Sequence, residues 1–198
     1  AVVDAVQAAV SAESFGYPAE NQSGLAEATA DFYRDRYGFT ARPEWVHPVA
    51  DVVRALLISI QHFTTPGSKV IVPVPAYPPF FQLLQATGRE GIFVDSFDLG
   101  ELRKAFEQGA GCLLLCNPYN PLGFVFGREE LVGITDLAAE FGARVLVDEI
   151  HAPLVYDGRR HVVAAGVSET AARVCITATA TSKAWNTAGL KCAQIIFS

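Results

Sequence analysis

Apolar and polar positions along the chain fall into two kinds of stretch. Val2–Ala12, Leu25–Tyr37, Val52–Phe63, Phe80–Ala86, Leu99–Gln108 and Arg128–Phe141 read as helices. In the second, Leu25, Ala28, Phe32 and Tyr33 share a face, and Gly38 supplies the stop. In the last, Glu129 and Glu130 suit the positive end of the helix dipole. Between the helices lie short apolar runs that read as strands: Lys69–Val74, Gly91–Val94, Cys112–Cys116, Arg144–Val147 and Val174–Ala178. Several are apolar on both faces. Such strands, alternating with helices, predict an α/β fold with a mostly parallel sheet flanked by helices. Ligands of such sheets sit beyond the carboxyl ends of the strands. Polar loops at Tyr77, Asn117–Asn120, Asp148–His151 and Thr179–Lys183 each follow a strand, so they are expected to converge on one side.

Composition narrows the function. With 198 residues, 51% hydrophobic and 18% charged, the chain is long and apolar enough for one sizeable core. A net charge of −6 without a basic cluster argues against a nucleic-acid partner. No apolar run approaches membrane-spanning length, and Ala1-Val2-Val3-Asp4 does not open like a signal peptide. Cys112, Cys116, Cys175 and Cys192 form no Cys-x-x-Cys pair and sit in apolar stretches, so buried reduced thiols and a cytoplasmic setting are expected. His47, His62 and His161 lack metal-ligand spacing and read as surface or satisfied residues. Asp148, Glu149 and His151 do not amount to a water-activating set, so no metal is expected. The absence of methionine, and an end at Ile195-Ile196-Phe197-Ser198 inside an apparent strand, suggest a fragment.

Four positions carry candidate chemistry. Asp148 ends the apolar run Val145-Leu146-Val147, where a carboxylate is costly unless paired. It is either a cap or salt-bridged strand end, or a partner for a cationic ligand atom such as a protonated pyridine nitrogen. Lys183 follows a strand among small hydroxyl residues. It is either an exposed lysine or a Schiff-base lysine, which must be desolvated. Thr179, Thr181 and Ser182 are potential hydroxyl donors to a phosphate. Asn120 opens the second of two Asn-Pro steps in Asn117-Pro118-Tyr119-Asn120-Pro121, as a turn residue or as an amide aimed at a ring oxygen. Tyr77, on a proline-stiffened turn, is either a core aromatic or a plate stacked on a planar ring.

Taken in order, Pro75-Ala76-Tyr77-Pro78-Pro79-Phe80, Asn117-Pro118-Tyr119-Asn120-Pro121-Leu122-Gly123, Asp148-Glu149-Ile150-His151 and Ser182-Lys183-Ala184-Trp185-Asn186-Thr187-Ala188-Gly189-Leu190-Lys191 resemble the landmarks of the aspartate-aminotransferase superfamily of pyridoxal-phosphate (PLP) enzymes. Within it, His151 in Asp-Glu-Ile-His and the Asn-x-Ala-Gly-Leu after Ser-Lys resemble the cystathionine β-lyase-like, cysteine–sulfur lyase branch. The resemblance implies a PLP-binding large domain over residues 1–198, with an N-terminal segment and a C-terminal small domain absent. It implies that Lys183 is catalytic and forms the Schiff base. Asp148 would pair with the pyridine nitrogen, Asn120 and His151 would bond the ring oxygen, and Tyr77 would stack on the ring. Backbone groups at Val52 and Val53, with Ser182 and Lys191, would hold the phosphate. Tyr17 would reach the phosphate of a neighbouring subunit, giving a homodimer with shared sites. The implied activity is β-elimination on a small amino-acid substrate, the alternatives being amino transfer or a non-catalytic PLP-binding role. Asp51 departs from the glycine common beside the phosphate, and is unhelpful there unless it points away or caps the helix. Lys191 departs from the usual arginine, and Leu122 from a common threonine.

Overall fold

The computed structural model describes residues 1–16, 24–156 and 158–198. Its helices are α1 (Val2–Ser11), α2 (Leu25–Tyr37), α3 (Val52–Phe63), α4 (Pro79–Thr87), α5 (Leu99–Glu107), α6 (Arg128–Glu140) and α7 (Glu169–Val174). Its strands are β1 (Val46–Val49), β2 (Lys69–Pro73), β3 (Gly91–Val94), β4 (Ala110–Cys116), β5 (Arg144–Asp148), β6 (Cys175–Ala180) and β7 (Ala193–Ile196). They form one seven-stranded sheet in the order β1-β7-β6-β5-β4-β2-β3. From β6 through β5, β4 and β2 to β3 every pairing is parallel, and β7 alone runs antiparallel to both its neighbours. The mostly parallel α/β sheet expected from the sequence is therefore present. Among the described residues no helix is long and apolar enough to cross a membrane.

Local chemistry accounts for the elements that matter to the site. In α3 the buried side chains Val52, Ala55, Leu56, Ser59 and Ile60 follow helical spacing. Ser59 is tolerated there because its hydroxyl donates to the Ala55 carbonyl at 2.9 Å. Strand β4 lies inside the sheet between β5 and β2, and its residues Cys112 to Cys116 are all buried. Each leucine of Leu113-Leu114-Leu115, removed from water, contributes about 1.5–3 kcal/mol. Gly111 is required by packing, since a Cβ there would lie 2.1 Å from Ser68 Oγ.

One expectation needs correction, and two elements are additional to those read from the sequence. The buried residues of α2 are Thr29, Ala30 and Tyr33, while Ala28 is exposed. Thr29 can be buried because its hydroxyl donates to the Leu25 carbonyl at 2.7 Å, an option invisible to an apolar count. Strand β1 and helix α7 were not anticipated. The Val-His-Pro-Val of β1 is broken by Pro48, which is tolerated on an edge strand paired on one side only. Helix α7 is capped by Ser168, whose hydroxyl accepts from the Ala171 N–H at 3.0 Å.

Candidate active site

The sheet brings the polar loops together. Strands β2, β4, β5 and β6 run parallel, so their carboxyl ends share one edge. Both β1 and β6 are antiparallel to β7, so β1 also ends there and β7 begins there. The edge thus collects Tyr77 after β2, Asn120 after β4, Asp148 at the end of β5, Ser182 and Lys183 after β6, Lys191 before β7 and the start of α3 after β1. One cavity of about 300 Å³ is lined by Asp51, Val52, Val53, Tyr77, Asn120, Asp148, His151, Ser182, Lys183 and Lys191 among others. It contains every site residue implied by the family resemblance except Tyr17, which lies outside the described residues. A larger neighbouring cavity, about 620 Å³, shares Asn120 and His151 but reaches neither Lys183 nor Asp148.

The loops are braced. Asn117, fully buried, donates from Nδ2 to the Val162 carbonyl at 3.0 Å and accepts at Oδ1 from the Phe126 N–H at 3.3 Å. Tyr119 Oη donates to the Pro75 carbonyl at 2.8 Å, tying the Asn120 loop to the Tyr77 turn. Neither brace is legible in the sequence, because Val162 and Pro75 each lie more than 40 residues from the side chain they bind. After β6 the chain folds into a turn, in which the Trp185 N–H bonds the Thr181 carbonyl at 3.0 Å and the Thr187 N–H bonds the Ser182 carbonyl at 3.3 Å. Lys183 sits on this turn and is exposed, so the described residues do not supply the desolvation expected of it. Of the three hydroxyl candidates only Ser182 faces the cavity. Thr179 is buried within β6, and the Thr181 hydroxyl pairs with that of Thr187 at 2.7 Å.

Electrostatics single out Asp148. It is 4% exposed, accepts one hydrogen bond at Oδ1 from the Ile150 N–H at 3.0 Å, and has no cation within salt-bridge distance among the described residues. Burial raises its carboxyl from 3.8 to about 6, with Glu149 pushing the same way, against pulls downward from the Ile150 N–H and Lys183. Burial, and then Lys183, hold His151 below its ordinary value, which favours a neutral imidazole. Glu149, next in sequence, is fully buried away from this cavity. It accepts from Tyr33 Oη and the Ala164 N–H, each at 3.1 Å, and His161 Nε2 lies 3.2 Å away. Successive residues at a strand end point to opposite faces, which separates the two acids. His161 is consequently buried rather than on the surface. Among the described residues no three His, Cys, Asp or Glu side chains form a metal-binding group. Of the four cysteines, Cys112, Cys116 and Cys175 are buried free thiols, and Cys192 is only half-buried.

The uncompensated Asp148 carboxylate gives a testable sign. A folded value near 6 against 3.8 costs on the order of 3 kcal/mol at neutral pH. The cost is full above about pH 6 and vanishes as the pH falls towards 3.8, because the folded state then holds the proton the unfolded state loses. In full-length protein freed of bound ligand, Asp148→Asn is expected to raise stability by about 1–3 kcal/mol at pH 7.5 and by little at pH 4. Urea denaturation at the two pH values checks this, and a gain independent of pH would contradict it.

A cavity at the carboxyl edge of a parallel sheet, with a helix N-terminus, a lysine and a buried carboxylate on its walls, suits a ligand bearing both anionic and cationic groups. The chain belongs to the family of class I and II aminotransferases, whose profile matches residues 1–198. It is 60% identical over 197 residues to a cystathionine beta-lyase of Corynebacterium glutamicum, covering 98% of this chain and 53% of that protein. Among solved structures it is similar to a protein from Corynebacterium diphtheriae described as a PLP-dependent beta-cystathionase. That similarity has 64% identity and a TM-score of 0.96, covering 100% of this chain and 52% of the other. Cystalysin from Treponema denticola, which contains a pyridoxal 5'-phosphate cofactor, is 30% identical with a TM-score of 0.84, covering 92% of this chain and 48% of its own. The chain spans about half the length of these relatives.

Proposed function

We propose that this chain is the cofactor-binding part of a PLP-dependent carbon–sulfur lyase acting on a sulfur amino acid such as cystathionine. The observation that carries the reading is Asp148, a buried carboxylate without a cation, in the same cavity as Lys183 and the start of α3. A protonated pyridine nitrogen is the partner that such a carboxylate lacks, so the donor set fits the cofactor. The relatives named above support the choice of a lyase. When bound, PLP supplies a carbonyl for amines and an electron sink for the substrate carbon.

The residues have these proposed roles. Asp148 would pair with the ring nitrogen and hold its proton. Asn120 and His151 would bond the ring oxygen, and Tyr77 would pack against the ring. The Val52 and Val53 N–H groups, the Ser182 hydroxyl and the Lys191 ammonium hold the phosphate. Lys183 would be the covalent anchor of the cofactor, and with substrate present its amine would be free. Its free Nζ then takes the proton from the substrate α-carbon. The C–S bond breaks with loss of a thiolate, and hydrolysis of the remaining enamine gives pyruvate and ammonia. Tyr17 is assigned to the phosphate of a neighbouring subunit, so the protein works as a homodimer with shared sites.

Full-length protein given cystathionine alone is expected to release pyruvate, measured by a coupled dehydrogenase assay. Strict dependence on an added 2-keto acid would identify amino transfer and contradict the lyase reading.

A further inference from the structure

Asp51 has no part in those roles, yet it stands on the wall of the cavity assigned to the phosphate. Its Oδ1 accepts from the Arg54 N–H at 2.8 Å, making it the cap of α3. Its Oδ2 accepts from Lys191 Nζ at 3.0 Å. The cap uses only the third N–H of the helix, so those of Val52 and Val53 keep no partner within the helix. The Lys191 ammonium, by contrast, already faces a carboxylate. Lys191 reaches it from a left-handed backbone (φ 52°, ψ 52°), which side chains rarely adopt and which fixes the direction of approach. The Arg54 N–H, and less strongly Lys191, hold the Asp51 carboxyl below its ordinary value against partial burial, so it is anionic at neutral pH.

A phosphate on the Val52 and Val53 N–H groups would therefore share one helix end and one ammonium with a resident anion. If capping were all that was needed here, a neutral residue would serve, since Asn and Ser cap helices about as well as Asp. The pair is also half-exposed, with side-chain exposures of 66% for Lys191 and 40% for Asp51. Such pairs add little to folding stability, so the charge should express itself in binding.

We propose that Asp51 is a built-in attenuator of the phosphate subsite: a resident carboxylate that caps α3 and orients Lys191, but competes with the cofactor phosphate and keeps the cofactor exchangeable. This rests on the assignment of this end of the cavity to the phosphate.

The test uses full-length protein stripped of cofactor and titrated with PLP, with pyridoxal (which lacks the phosphate) and with inorganic phosphate as competitor. Affinity is followed by cofactor absorbance. Asp51→Asn and Asp51→Ser, which keep a cap and remove the charge, are expected to bind PLP roughly three- to tenfold more tightly. Inorganic phosphate should compete at correspondingly lower concentration, with pyridoxal affinity unchanged. Unchanged or weaker PLP binding in both variants overturns the proposal, as does an equal gain for pyridoxal. Lys191→Ala and Ser182→Ala test the underlying assignment. Both should weaken PLP but not pyridoxal, and if neither does, the phosphate assignment fails and this proposal with it.

Discussion

Lys183→Ala in the full-length protein is expected to lower turnover by at least about 10³-fold, while PLP still binds without a covalent bond. The size follows from chemistry rather than contacts. A positioned proton-transfer group contributes about 10²–10⁴-fold, and the covalent anchor of the resting enzyme disappears with it. The fold should barely respond, because Lys183 is exposed on the turn after β6. Lys183→Arg should not restore turnover, since a guanidinium keeps its proton and cannot act as a base. Steady-state kinetics on cystathionine, with denaturation curves for each variant, checks both halves. Activity within tenfold of wild type in either variant would remove Lys183 from the mechanism.

The second large effect is on stability. Glu149→Ala is expected to cost about 3–5 kcal/mol, a large share of the 5–15 kcal/mol typical of a folded domain. Its carboxyl is the acceptor for the buried Tyr33 hydroxyl and the Ala164 N–H, with His161 beside it. Alanine strands the two donors at about 1–3 kcal/mol each and leaves a void as well. Burial and the nearby Glu149 already hold the Tyr33 phenol well above its ordinary value, so it cannot adapt by losing its proton. Glu149→Gln keeps one acceptor oxygen in nearly the same shape and should recover part of the loss. Urea denaturation measures both, and a cost below about 1 kcal/mol for alanine would mean that the cluster does not bind α2 to the sheet.

These two acids also show how much a sequence reveals. Asp148 was legible because an apolar strand running into a carboxylate is a local anomaly. Helix α3 was legible to the residue, since its apolar spacing and the Pro66-Gly67 turn beyond it are local too. Tyr77, Asn120, Ser182 and Lys183 could be placed because each follows a strand, and parallel strands carry such positions to a common edge. Glu149 was less clear. In the sequence it is set aside as part of no metal site, and only its bonds to Tyr33, 116 residues away, and to Ala164 show it to be a structural brace. The Asp51–Lys191 contact spans 140 positions. Nor does local pattern reveal that β7 enters antiparallel between β1 and β6, since pairing order is set by packing across the whole sheet. Strand β1 hid behind Pro48, a residue that normally argues against a strand.

The central claim is that these strand ends assemble a PLP site in which Lys183 is the covalent anchor. It is tested most directly by the visible absorbance of full-length protein incubated with PLP and then desalted, for wild type and Lys183→Ala. The expected result is a visible band that survives desalting in wild type and is lost or shifted in the variant. No band in wild type, or an identical band in both proteins, would contradict it.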